Sequence, residues 1–252
     1  METKITQKMV LAALAVSGAA FAQTKPPEPD YTLSYNVGVV SDYRYRGISQ
    51  SRLKPALQGG IDFAHKSGFY LGTWASTIKW IKDAGASKGS VELDLYGGYK
   101  GEVAKGLGFD VGYLRYQYIN NKLGDVPGFA NANTDELYGA LTWGLFTAKY
   151  SHSLSNLFGN PDSKGSGYLD LSANVDMGNG WSVVPHIGHQ KVRHLGVASY
   201  TDYSVTVGKD MGSGFSLSAA VVGTDAERSF YFTPAGKFTG RTGLVVGAKY
   251  SF

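Results

Sequence analysis

The sequence predicts an all-β protein: a closed antiparallel transmembrane β-barrel of twelve strands, preceded by a cleaved signal peptide. Three observations carry that prediction. Apolar and polar residues alternate from residue 31 to the C-terminus, the period of a strand with one apolar face. The joins between these segments alternate short and long. Aromatic residues gather near segment ends.

Taken in order, the first element is not part of the fold. Lys4 and Lys8, the short apolar run Met9–Val16 and the small-residue pattern Ala20-Phe21-Ala22 read as a secretory signal peptide over residues 1–22. The apolar run is well short of the roughly 20 residues that a spanning helix needs. Residues 23–30, "QTKPPEPD", read as a Pro-rich mature extension. The barrel is expected over residues 31–252.

Its first strand sets Tyr31, Leu33, Tyr35, Val37 and Val39 against Thr32, Ser34, Asn36 and Gly38. Leu57, Ile61 and Phe63 alternate with Gln58, Gly60 and Asp62 in the next. "SVELDLYGGYK", "LGFDVGY", "GYLDLSANVDMG", "FSLSAAVV" and "TGLVVGAKYSF" repeat the pattern, the last placing Leu244, Val246, Ala248, Tyr250 and Phe252 on one face. Less regular strands fall at 69–80, 135–143, 145–153, 181–191 and 201–210. Within 107–118 the outward face is expected to slip from Tyr113 to Leu114, with a bulge deciding Arg115.

Tight joins at 65–68, 100–106, Gly144, 178–180 and 212–214 alternate with longer ones at 81–89, 120–134, 155–166, 193–199 and 224–240. A soluble sandwich gives no reason for every second join to be tight, whereas a membrane barrel has short turns at one end and long loops at the other. Tyr70, Trp80, Tyr99, Trp143, Trp181, Tyr250 and Phe252 are placed as interfacial aromatics. Lipid offers no hydrogen bonds, so the first and last strands must pair and close the sheet.

Composition agrees. The chain has no cysteine, so an exported fold here owes nothing to disulfides. Glycine numbers 34, about twice the usual share, and only 17% of residues are charged. Mean hydropathy is −0.16, too low for a helical membrane protein. A net charge of +4, spread along the chain, argues against a nucleic-acid partner.

The densest chemistry is "SDYRYRGISQSRLKP", residues 41–55. If the first strand continues through it, Tyr43 and Tyr45 join the lipid-facing register as outer membrane-interface anchors, matched by Tyr250 and Phe252 at the other end. Asp42, Arg44 and Arg46 then face the lumen, "GISQS" turns the chain, and Arg52 and Lys54 return on the inner face. Two readings follow. The basic residues form an anion-favouring filter at the pore mouth, or they neutralise inward carboxylates such as Asp62, Glu92 and Asp94 across a narrow lumen. Either way these eight charged residues are the expected pore lining.

"SDYRYRGISQS", followed by "PALQGGIDFAHKSGFYLGTWAS" and "VELDLYGGYKG", resembles the proteobacterial TorF-type porin family over the whole mature chain. The final "AKYSF" resembles the assembly signal that ends outer-membrane barrels. The resemblance implies a pore in the bacterial outer membrane and says nothing of its solute.

Catalytic and metal chemistry find little support. His152 falls on the outward register, His186 faces inward without a serine to activate, and His186 and His189 point opposite ways. No enzyme activity, cofactor or metal is expected. The expected function is passive diffusion of small polar or charged solutes; the alternative is a closed structural or adhesive barrel acting through loops 120–134 and 224–240. Expected partners are outer-membrane lipid and lipopolysaccharide, the assembly machinery through Phe252, and small solutes.

Overall fold

The computed structural model describes residues 29–252, so the expected signal peptide and most of the 23–30 extension lie outside the described residues. The β segments are β1 (Tyr31–Val40), β2 (Arg44–Tyr45), β3 (Ile48–Ser49), β4 (Ala56–His65), β5 (Phe69–Thr77), β6 (Val91–Ala104), β7 (Leu107–Tyr118), β8 (Thr134–Trp143), β9 (Phe146–Ser153), β10 (Gly167–Ala173), β11 (Val175–Gly178), β12 (Trp181–Lys191), β13 (Tyr200–Gly212), β14 (Phe215–Thr224) and β15 (Gly243–Ser251). One helical turn, α1 (Trp80–Asp83), lies between β5 and β6.

All but β2 and β3 belong to one antiparallel sheet. Neighbours in sequence are neighbours in space, and β1 pairs with both β4 and β15. The ring therefore closes with twelve staves, β10 and β11 together making one. That stave is interrupted at Asn174: Ser172 pairs with His186 and Val175 with Val183. Pro185 sits between these partners and has no N–H to give the ladder. The predicted single strand over "LSANVD" is thus broken by its neighbour.

The apolar register faces outward. Leu33, Val37, Leu57, Leu71, Leu95, Leu141, Leu171, Val205, Val221 and Leu244 are all exposed, the inverse of a soluble fold and the surface that lipid covers. Trp143, Phe146, Trp181, Tyr250 and Phe252 are exposed near the tight-turn end, and Tyr113, Tyr150 and Tyr203 nearer the loop end. Tyr70 and Trp80 depart from the expected girdle. Tyr70 faces the lumen and bonds Asp110 there; Trp80 belongs to α1.

In β7 no slip occurs. The β6–β7 register runs unbroken from Glu92↔Tyr118 to Glu102↔Gly108. Leu114 therefore faces the lumen, while Tyr113 and Arg115 stay on the outer face. There Arg115 Nη1 donates to Asp135 Oδ1 at 2.8 Å, and the Tyr113 hydroxyl donates to the same oxygen. A carboxylate on the neighbouring strand satisfies the outward guanidinium, so the backbone needs no bulge to turn it inward.

Candidate functional site

The lumen is built from the inward register of every stave. Between β4 and β8 this register is rich in tyrosines and carboxylates. Tyr96 O–H donates to Asp62 Oδ1 at 2.5 Å and Tyr70 O–H to Asp110 Oδ1 at 2.5 Å; Tyr70 and Tyr138 share a further hydroxyl contact. Glycine on the next strand makes room for each ring. A Cβ at Gly72 would overlap Tyr96, and one at Gly98 or Gly112 would overlap Tyr70 or Tyr138. The rings thus lie along the wall. Asp94 shares this side, and its Oδ1 is buried without a hydrogen-bond partner. The facing wall, from β13 to β15 and β1, offers small side chains: Ser204, Thr206, Ser218, Ala220 and Gly247.

Into this lumen folds the segment after β1. The ladder with β4 stops at Val40↔Ala56, and Ser41 turns toward β15, its N–H donating to Val246 O at 2.8 Å. The chain then runs inward as a small hairpin in which Arg44 pairs with Ser49 and Tyr45 with Ile48. Its turn is Arg46-Gly47, both at positive φ (46° and 77°), which a two-residue hairpin requires at both central positions. Gly47 is needed for space as well. A Cβ there would meet Asp202 Cβ at 2.7 Å and Thr224 Cγ2 at 2.4 Å, so the hairpin tip packs tightly against β13 and β14.

Several expected positions are corrected by this fold. Tyr43 and Tyr45 are not at the lipid interface. Tyr43 is buried, donates its hydroxyl to Glu92 Oε1 at 2.6 Å and packs edge-on to Trp74. Tyr45 meets the Tyr116 hydroxyl and packs between Tyr116 and Phe158. The alternation that placed them outside continues in sequence, but the backbone leaves the wall at Ser41, so the register no longer refers to the membrane. "GISQS" is not the turn; its Ile48 and Ser49 form the returning strand. Arg52 and Lys54 are exposed and line none of the lumen cavities. Positive φ at Arg52 and Leu53 bends the chain out again, and Arg52 Nε donates to Asp83 Oδ1 at 2.7 Å.

The other expected residues face the interior. Asp42 accepts from Arg44 Nε at 2.5 Å, Ser49 Oγ at 2.5 Å and Ser51 Oγ at 3.1 Å. Arg44 also donates to the carbonyls of Gly47, Thr239 and Arg241. Arg46 is buried, with Nη2 on Glu136 Oε2 at 2.8 Å and Nη1 on Gln190 Oε1 at 2.6 Å; its guanidinium lies 4.2 Å from the Tyr168 ring centroid. Glu92 and Asp94 lie beside the hairpin and Asp62 further down. Residues outside the expected filter complete the lumen: Glu136, Gln190, Tyr116, Tyr168, Lys149, and His186, whose Nε2 lies 3.0 Å from Asp170. Their inward register was readable; that a hairpin would reach them was not.

The hairpin divides the interior. Beneath it lies a chamber of about 590 Å³. A second space of about 640 Å³ continues it toward the tight-turn end, the two sharing Val40, Gln58, Trp74 and Ser218. Above the hairpin, under the long loops, is an outer cavity of about 540 Å³. Tyr45 is the residue it shares with the inner chamber.

A twelve-stranded transmembrane barrel with its lumen crossed by an inward-folded hairpin is therefore the class this chain defines. Over residues 24–252 it belongs to a family described as a bacterial protein of unknown function, Gcw_chp. That description does not itself point to the TorF-type porins the motif resembles. No curated protein matches the chain in sequence. Among solved structures it is similar to the KdgM porin, at 9% identity and a TM-score of 0.55, covering 87% of this chain and 98% of that one. The NanC porin is similar at 10% identity and a TM-score of 0.55, covering 88% and 99%. The COG4313 outer membrane channel from Pseudomonas putida F1 is similar at 10% identity and a TM-score of 0.50, covering 91% and 99%. At these identities the likeness is one of fold.

Proposed function

We propose that the protein is a porin-like channel of the bacterial outer membrane, passing small polar solutes by diffusion, with the 42–51 hairpin as its constriction. The observation that carries this reading is the continuous inner space beneath the hairpin, more than 1,000 Å³ in its two parts together. A barrel serving only as a scaffold has no use for such a space. The porin folds of its structural neighbours lend the reading support.

The ion preference we infer is for cations. Two of the four cations expected at the mouth, Arg52 and Lys54, are outside the lumen. The two inside, Arg44 and Arg46, are matched by Asp42 and Glu136. Asp62 and Asp110 remain on the wall with Lys100, Lys149 and Lys249 as counter-charges, and Asp170 and Asp202 add to the acid side. An anion filter built from the hairpin therefore loses its carriers, while acidic walls raise local cation concentration.

Single-channel recording in a planar bilayer under a salt gradient tests both parts. Discrete steps with a cation-selective reversal potential are expected, and Asp62→Asn with Asp110→Asn should move that potential toward zero. A second reading, the closed barrel, is favoured by the hairpin's complete crossing of the lumen. It predicts no steps from folded wild-type protein, whether or not replacing the hairpin by a short Gly-Ser link opens a path. Steps only in the replaced form would mean a channel held shut by its hairpin.

A further inference from the structure

The outer cavity is built like a binding site, and nothing in a diffusion channel requires it. Trp80, Tyr118, Phe129 and Phe158 form one side and Tyr200, Phe230 and Tyr231 the other. Each side is stiffened by edge-on aromatic packing. Trp80 and Tyr118 have centroids 5.2 Å apart, as do Tyr200 and Tyr231, and Phe230 and Tyr231 are 4.9 Å apart. Phe158 packs against the apolar clusters of both sides and joins them, and the cavity is the space left between the two walls.

The loops around it are braced to one another. Lys79 and Trp80 N–H donate to Gln50 O, Ser49 N–H to Thr239 O and Ala130 N–H to Gly159 O. The Tyr231 hydroxyl donates to Ala198 O at 2.7 Å. Loops that only connect strands need no such cross-links. Loops that hold a cavity open do, because apolar walls otherwise close on one another.

The polar groups on the lining show what would fit. Trp80 contributes its ring alone, since its Nε1–H has no accessible surface. Gln50 and Asn160 give their amide N–H groups to Ile48 O and Leu157 O; among the described residues, nothing donates to their side-chain oxygens. Two free acceptors thus lie on the lining of a space walled by aromatic rings. The lining carries no net charge. Asp83 is its one charged residue among those described, and Arg52 neutralises it. Burial holds the Tyr231 phenol well above its ordinary pKa, so it stays neutral.

We propose that this cavity binds an uncharged cyclic polyol of the saccharide class, its apolar C–H face against the aromatic wall and its hydroxyls donating to Gln50 and Asn160. The volume is within the range of small-molecule sites, roughly 300–1,000 Å³. A uronate or phosphate is disfavoured because no free cation awaits it, and a plain aromatic hydrocarbon would leave the two amide oxygens unmet. This inference does not depend on conduction.

The test is saturation-transfer NMR on the full protein in detergent, with cellobiose as the neutral disaccharide and digalacturonate as its acidic counterpart. Saturable transfer to the ring C–H protons of cellobiose is expected, with at most a fifth as much to digalacturonate. Trp80→Ala and Gln50→Ala should each weaken cellobiose at least fivefold, while far-UV circular dichroism shows each variant folded. Arg46→Lys, outside the cavity, serves as the variant that keeps binding. No transfer to cellobiose from folded wild type, equal transfer to digalacturonate, or undiminished binding in both cavity variants would overturn the proposal.

Discussion

Arg46 shows what a single side chain does in this lumen. It sits in the left-handed region at the tip of the hairpin, its charge met by Glu136 and its remaining donors by Gln190. Removing it leaves Glu136, which is 2% exposed, as an unpaired carboxylate. Breaking a buried pair from one side costs about 3–5 kcal/mol. Arg46→Ala should therefore lower the urea midpoint clearly, and adding Glu136→Gln should restore much of the loss; a double variant no more stable than the single one would refute the pairing. By contrast Arg52→Ala and Lys54→Ala should leave the reversal potential unchanged, since neither faces the lumen. Sequence alternation assigned all four cations to one face because it assumed one continuous strand. The contrary cue was local: an Arg-Gly step can supply the two positive φ values of a tight hairpin, and in "YRYRGIS" it falls between residues that pair.

At the scale of elements, the barrel was readable because each strand has to satisfy lipid on one face and lumen on the other. Leu33 to Val39 and Leu244 to Phe252 carry that demand in plain alternation, and the short and long joins follow from the two ends of the barrel. The hairpin was not readable in the same way. It does not meet lipid, and its partners Glu92, Tyr116, Glu136 and Gln190 come from distant strands. If it is the constriction, replacing residues 43–51 by a short flexible link should raise single-channel conductance several-fold and leave the far-UV spectrum that of a sheet. Unchanged conductance in that variant would place the narrowing elsewhere. The broken stave at Asn174 was likewise hidden, because its cause, Pro185, lies on the neighbouring strand.

For the molecule as a whole, the weakest stretch of the ring is its closure. β1 shares ten paired positions with β4 but five with β15. Beyond those five, Tyr35 and Phe252 exchange backbone hydrogen bonds and stack at 5.7 Å. At the other end of the seam, Arg44 reaches the carbonyls of Thr239 and Arg241, just before β15. Arg44→Ala should therefore lower the temperature at which the folded band is lost in a heat-modifiability gel, more than Arg52→Ala does. Equal loss in the two variants would show that the seam does not rely on it.

That clasp also has an order in time. The residues holding out the guanidinium are made among the first of the barrel, and the carbonyls that receive it among the last. The guanidinium therefore has to wait for the last strand, since Thr239 O and Arg241 O come to it only when β15 takes its place beside β1. The cylinder's seam and the filling of its lumen are tied by that one side chain, so a fault in the hairpin is felt where the sheet joins itself.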